Sequence, residues 1–224
     1  MQKDFINNMT HEFKTPISSI NISADVVMDP NIVNDPSRLF TYGSVIKQEN
    51  NRLNQQVDKV LQIARIENHG FHLKKENVNI NELIINIVDN CKANSNRKLI
   101  INTDLSDSVG FIEADVLHLT NIFHNLLDNA SKYSGDAPVI SIATIRNNQN
   151  VVIRISDNGP GIKAEYQKKI FQKFYRIPTG NLHDVKGFGL GLYYVKTICK
   201  AHQWNIRLES SEGKGATFVI VIPV

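Results

Sequence analysis

Phe5, Met9, Phe13, Ile17, Ile20, Ala24 and Val27 recur at spacings of three and four, the apolar stripe of an α-helix that faces a partner. At about 100° per residue His11 falls about 160° from both Met9 and Phe13, so the pattern predicts a histidine displayed to solvent. Thr15 follows one turn later on that face and Glu12 is its neighbour, so a hydroxyl and a carboxylate flank the imidazole. Pro16 has no N–H to give the Glu12 carbonyl and should bend the helix just after the histidine. Met28 to Pro36, MDPNIVNDP, breaks the helix and reverses the chain. A second stripe, Leu39, Gly43, Ile46, Asn50, Leu53, Val57, Val60 and Ala64, then predicts a helix from Ser37 to Glu67. One two-helix hairpin is too thin to bury both stripes, whereas two make a four-helix bundle, so a homodimer is expected. Asn50 is read either as a register device within the stripe or as a solvated position near the loop end.

The periodicity stops at Asn68, and Asn68 to Lys75 reads as a hinge. Beyond it the segments are mixed. Ile80 to Ala93 and Ala114 to Tyr133 have helical periodicity, while Lys98 to Thr103 and Val109 to Ile112 read as extended. Val139 to Arg146 and Val151 to Asp157 alternate as a hairpin about Asn147-Asn148. A short helix from Ala164 to Phe171, a helix from Leu190 to His202 and strands from Asn205 to Ser210 and Ala216 to Ile222 complete the pattern. The expected fold class is α+β: a two-helix hairpin over 1–68 that dimerises into a bundle, then an α/β sandwich with a mixed sheet over 76–224.

With 224 residues, 42% of them hydrophobic and 21% charged, the chain is long enough for two small domains. A balance of 25 basic to 22 acidic residues, with no basic run, argues against a nucleic-acid partner. Cys91 and Cys199 form no CxxC pair and are expected in the core of a protein from a reducing compartment. No apolar run approaches the roughly 20 residues of a membrane span. Met1 opens directly into helix without a signal peptide, which suggests a fragment.

Taken alone, His11 is an ordinary surface histidine. The stretch HEFKT has the start of the zinc-protease pattern HExxH, but Thr15 stands where the second ligand belongs, which argues against zinc. Asn121, Asn125 and Asn129 share one helix face with Lys132, an arrangement that carries a propensity cost; side-chain carbonyls suit Mg²⁺ and lysine suits phosphate. A solvated polar stripe accounts for the same residues. Asp157 ends a strand and runs into Gly159 and Gly161, a turn that brings backbone close to a flat ligand and a carboxylate that accepts from an exocyclic amine such as adenine's. A plain tight turn explains it equally. Gly187 to Leu192, GFGLGL, leads into a helix and offers N–H groups to an anion, yet matches neither the P-loop nor the dinucleotide fingerprint. Phe171 to Lys186, opening FQKFYR, reads as a lid with Arg176 as a phosphate contact, or as ordinary loop and packing residues.

In this order the motifs resemble the core of bacterial sensor histidine kinases: a dimerisation and phosphotransfer hairpin, then an ATP-binding domain of the gyrase, Hsp90, histidine kinase and MutL type. The resemblance spans nearly the whole chain, with a phosphoacceptor box at Phe5 to Pro16, an asparagine box at Asn121 to Tyr133, glycine boxes at Asp157 to Gly161, Gly187 to Leu192 and Gly213 to Phe218, and a phenylalanine box at Phe171 to Arg176. It implies that ATP phosphorylates His11 with Glu12 as general base, and that the phosphoryl group passes to an aspartate of a response-regulator receiver domain. Thr15 would orient a water for the reverse, phosphatase-type reaction. Asn125 would hold Mg²⁺. Asn129, Lys132, Tyr133, Asp157, Gly159, Gly161, Ile162, Arg176, Gly187, Phe188, Gly189, Leu190, Gly191, Leu192 and Thr217 would line the nucleotide, with Asp157 reading adenine. Sensor and membrane segments would precede Met1, which makes this the cytoplasmic portion of an inner-membrane protein. Two features depart from the family pattern: Phe13-Lys14 stands in place of Leu-Arg, and the lid is short with no second arginine. A chaperone or topoisomerase ATPase would share the ATP boxes without needing the His11 hairpin, and a non-catalytic scaffold would not need His11, Glu12, Asn125 and Asp157 together.

Overall fold

The computed structural model describes residues 2–67, 71–93, 98–178 and 188–224, the side chains of residues 2–8 and 11 excepted. The chain divides into two compact units, Met1–Phe71 with Lys186–Leu190, and His72–Val185 with Gly191–Val224.

The first unit is an antiparallel hairpin of α1 (Gln2–Val27) and α2 (Pro36–Glu67), joined by a 3₁₀ turn at Pro30–Asn34. The turn's aspartates act as caps: Asp29 accepts from the Asn31 N–H at 2.9 Å, and Asp35 accepts from the Arg38 N–H at 3.0 Å. Pro36 takes the first position of α2, where its missing N–H costs nothing. Helix α1 continues through Pro16. Among its described side chains the buried ones are Glu12, Pro16 and Ser23, whereas Ile17 of the expected stripe is 46% exposed. A single hairpin covers one side of each helix, so the covered face of α1 is rotated away from its apolar stripe, and Ile22, Val57 and Leu61 also stay exposed. The Arg52 guanidinium lies 3.8 Å from the Glu12 carboxylate, which fixes the register. Residue 50 is therefore level with residue 14 rather than near the loop, and Asn50 is exposed there.

The second unit is an α/β sandwich. Strands β1 (Glu76–Asn79) and β3 (Phe111–Ala114) pair antiparallel, and β2 (Ile100–Leu105), β4 (Val139–Arg146), β5 (Asn150–Asp157), β6 (Asn205–Ser210) and β7 (Ala216–Pro223) form a sheet in the order β2-β4-β5-β7-β6. The β2–β4 pair is parallel and the others antiparallel, so the sheet is mixed as expected. Alternate residues Ile140 and Ile142 of β4, Ile153 and Ile155 of β5, and Phe218 and Ile220 of β7 are buried. Helices α3 (Ile80–Ala93), α4 (Val116–Tyr133) and α6 (Gly191–Ala201) supply the other half of the core; on α4 that half is Leu119, Ile122, Phe123, Leu126 and Leu127.

Several boundaries differ from the pattern reading. Strand β1, ENVN, has a single buried apolar residue and hence no period to read. Val109 lies before β3, buried in a turn whose carbonyl accepts from Arg146 at 2.8 Å. The short helix α5 (Ala164–Gln167) makes about one turn before Ile170 and Phe171 enter the core. Cys199 is in the core, where burial pushes its thiol up to about 12, but Cys91 is only half-buried.

Asp115 joins three segments of this unit. Its carboxylate caps α4 by accepting from the His118 N–H at 3.1 Å, and accepts from the Lys74 N–H at 2.8 Å. Its own N–H donates to Nε2 of His202 at 3.0 Å. Because Nε2 accepts, Nδ1 carries the proton and donates to the Ile198 carbonyl, so His202 is neutral; its ring also stacks on Trp204 at 4.2 Å. Burial lowers the His202 pKa below the ordinary 6.5, so on acidification the unfolded chain takes up this proton first and stability falls. The unfolding free energy measured in urea should therefore fall between about pH 7.5 and 6, by at most about 1.4 kcal/mol per pH unit for this group. His202→Gln, which keeps an acceptor but does not titrate, should flatten that slope; an unchanged slope would assign it to other groups.

Candidate functional site

The residues singled out in the sandwich converge around α4. On that helix His124, Asp128 and Lys132 are exposed, whereas Asn121, Asn125 and Asn129 are half-buried, so the asparagines are not the solvated stripe. Asn121 hydrogen-bonds the Tyr194 hydroxyl, and burial pushes that phenol's pKa up. The Asn125 amide N–H donates to the Asn121 carbonyl at 2.7 Å. Its Oδ1 lies 2.8 Å from where a Cβ on Gly191 would sit, so α6 begins against Asn125 only because residue 191 is glycine. Helix α6 starts at Gly191, one residue later than the pattern suggests. Lys132, in register with Asn125, has its ammonium 2.5 Å from Asp128 in a surface pair.

Strand β5 delivers Asp157 to the sheet end beside α4. Its Oδ1 accepts from the Gly159 N–H at 2.9 Å and from the Ala216 N–H at 3.1 Å, and its Oδ2 takes no hydrogen bond among the described residues. Burial raises the Asp157 pKa, and the two N–H donors oppose that shift. A Cβ on Gly159 would come within 3.1 Å of the Tyr133 carbonyl, which places the loop against the end of α4. Tyr133 is partly exposed; burial raises its pKa, and the nearby Arg176 guanidinium opposes the rise. Thr217 donates its hydroxyl to Ser156 at 2.9 Å across the β5–β7 pair.

Residues that the sequence motifs do not include hold this loop. Ser210 accepts from the Ile162 N–H at 2.9 Å and donates to the Gly215 carbonyl at 2.7 Å, while Gln167 donates to the carbonyls of Ile162 and Ser210. Ser210 and Gln167 lie 48 and 5 residues from Ile162, and nothing in their type or spacing announces the contact. Gly187 and half of the expected lid, 179–186, lie outside the described residues. Phe188 and Leu190 are buried and group with the helical unit, where the Phe188 ring centroid is 5.4 Å from that of Phe13; Gly189 has φ +67°.

In the helical unit Thr15 is exposed and Glu12 is not beside solvent as the pattern suggests: it is buried and paired with Arg52. The side chain of His11 lies outside the described residues.

The sequence matches the His Kinase A (phospho-acceptor) domain over residues 1–69 and the histidine kinase-, DNA gyrase B- and HSP90-like ATPase family over residues 114–224. It is 44% identical over 229 residues to the sensor protein RprX of Bacteroides fragilis, covering 100% of this chain and 44% of RprX. The sensor protein SrrB of Staphylococcus aureus is 31% identical over 100% of this chain and 38% of its own length. The chain belongs to the sensor histidine kinases of two-component systems and carries their catalytic core. It spans less than half the length of these curated relatives. Full-length ShkA in complex with AMPPNP shares the fold with TM-score 0.73 and 22% identity, over 99% of this chain and 45% of that one. So does ThkA in complex with the response regulator protein TrrA, with TM-score 0.70 and 23% identity over 98% and 61%. Among the described residues no helix is long and apolar enough to cross a membrane.

Gly161 has φ +73°, and a Cβ there would sit 1.9 Å from the Ser211 carbonyl oxygen. Gly161→Ala should therefore displace the loop and lower stability by about 1–3 kcal/mol, the cost of a strained backbone position. A thermal melt and exchange protection of the Ile162 amide would read this; an unaltered amide would show that the loop accommodates a side chain.

Proposed function

We propose that this core binds ATP between α4 and the loop after β5, phosphorylates His11, and passes the phosphoryl group to an aspartate of a response-regulator receiver domain. The observation that carries the reading is Asp157, whose one oxygen is fixed by two backbone N–H groups while the other takes no hydrogen bond among the described residues, in a loop that lies against the Tyr133 end of α4. A carboxylate held this way accepts from an exocyclic amine and discriminates adenine from guanine. The kinship of the chain and the complex of ThkA with the response regulator protein TrrA support the receiver domain as acceptor.

The roles follow from position. Asn125, whose N–H is already donated, presents a side-chain oxygen and fits the oxygen-rich coordination of Mg²⁺. When bound with the nucleotide, Mg²⁺ would offset charge on the phosphates. Asn129, Lys132, Tyr133, Gly159, Gly161, Ile162, Arg176, the segment from Gly187 to Leu192 and Thr217 line or close the nucleotide site in this reading. Glu12 takes the imidazole proton as general base, and Thr15 orients a water for removal of phosphate from the partner. Residues 1–68 act as the phosphotransfer hairpin, dimeric because one hairpin leaves Ile17, Ile22, Val57 and Leu61 exposed, and residues 76–224 act as the ATP-binding domain. The whole serves as the cytoplasmic portion of an inner-membrane sensor.

Incubation with γ-labelled ATP and Mg²⁺ should label the protein in a form lost in acid and stable in alkali, as a phosphoramidate is. Acid-stable label, or label retained in His11→Gln, overturns the reading. Asp157→Asn should weaken ATP binding by about 1.5–3 kcal/mol in calorimetry, the range for a charged hydrogen bond. Glu12→Gln should slow labelling by roughly 10²–10⁴-fold. Thr15→Ala should keep labelling within a few fold while slowing dephosphorylation of a pre-phosphorylated regulator, and equal losses in both assays would remove that division of labour.

A further inference from the structure

Glu12 is 9% exposed, and a carboxylate so buried requires a counter-charge or donors. Arg52 of α2 approaches it with Nη2 at 3.8 Å, within ion-pair range but too long for a hydrogen bond. The other guanidinium nitrogen, Nη1, lies 3.5 Å from Glu49, one turn back on the same helix. Arg52 thus stands between carboxylates on two helices and is held firmly by neither. One turn further along that face, Oε1 of Gln56 is buried with no hydrogen-bond partner among the described residues. A polar layer with unmet hydrogen bonds between two packed helices is one that a small helix displacement re-pairs at little cost. The layer lies at the level of Glu12, one turn before Pro16, which leaves the Glu12 carbonyl without its helical donor.

We infer that Arg52 is a positioning residue for the phosphorylation of His11: paired with Glu12 it withholds that carboxylate from the imidazole, and drawn to Glu49 it releases it. The inference rests on the kinase reading above, in which Glu12 is the base. It makes the division of Arg52 between Glu12 and Glu49 a setting of the phosphorylation rate. Movement of α1 along α2 would change that setting without touching the nucleotide site.

The test measures initial labelling rates of the full 224-residue chain at saturating γ-labelled ATP and Mg²⁺. Arg52→Gln should label faster by about two- to fivefold, the range of a partly exposed ion pair. Glu49→Gln should label slower by a similar factor, because it leaves Arg52 to Glu12 alone. The double variant should match Arg52→Gln, since Glu49 acts only through Arg52, and Arg52→Lys should stay near the parent. ATP affinity should be the same in all. A merely structural ion pair would slow labelling in both single variants, and that result overturns the inference, as does a double variant lying midway between them. Should Arg52→Gln melt early, Arg52→Met keeps the long apolar stem and should show the same acceleration; no acceleration there also overturns it. A parent chain that takes no acid-labile label defeats the kinase reading itself, whereas a labelled parent indifferent to Arg52 and Glu49 defeats only the role of Arg52.

Discussion

The sandwich depends on one buried carboxylate. Asp115 starts α4, receives the backbone of the entering segment through the Lys74 N–H, and binds the end of α6 through His202. Three segments distant in sequence therefore share one residue's donors and acceptors. Since α4 carries the asparagines and α6 begins against Asn125, the node fixes the two helices that meet at Gly191 and Asn125. A neutral His202 is the appropriate partner here, because its Nε2 accepts from the Asp115 N–H; protonation would turn that nitrogen into a donor facing a donor.

The loop that follows β5 is shaped by its backbone. Asp157, Gly159, Gly161 and Ile162 leave β5 in a loop that would present unpaired polar groups if it stood alone. Instead Oδ1 of Asp157 takes two of its neighbours' N–H groups, Ser210 takes the N–H of Ile162, and Gln167 bridges two carbonyls. These interactions hold the loop without using Oδ2 of Asp157.

In the helical unit the balance is different. The hairpin buries Glu12, Pro16 and Ser23 on α1 and leaves Ile17 and Ile22 exposed, the reverse of the arrangement that would stabilise a single hairpin. The polar layer about Arg52 lies between the two helices beside the phosphoacceptor box. Packing that includes charge costs stability relative to an apolar core and allows re-pairing, which an interlocked apolar core resists.

The two-helix hairpin, the break at Met28 to Pro36, α3, and strands β4 to β7 were legible because each carries its own period or turn chemistry. So were the identities of the motif residues, since Asn125, Asp157 and Gly161 stand out by type and spacing. Strand β1 was not legible, having one buried side chain in four residues. Nor were Ser210, Gln167 and His202, which act through contacts up to 87 residues away in sequence. Helical periodicity marked an apolar stripe on α1, but which side packs on α2 is decided by the partner surface. Glu12 therefore reads from the sequence as a solvent neighbour of His11 and lies in the structure against Arg52. The sequence by itself determined the local elements and the chemical types available, because propensity, capping and periodicity are short-range. Only the tertiary structure decided which of those side chains meet, because burial and pairing are set by residues that the chain brings together from far apart.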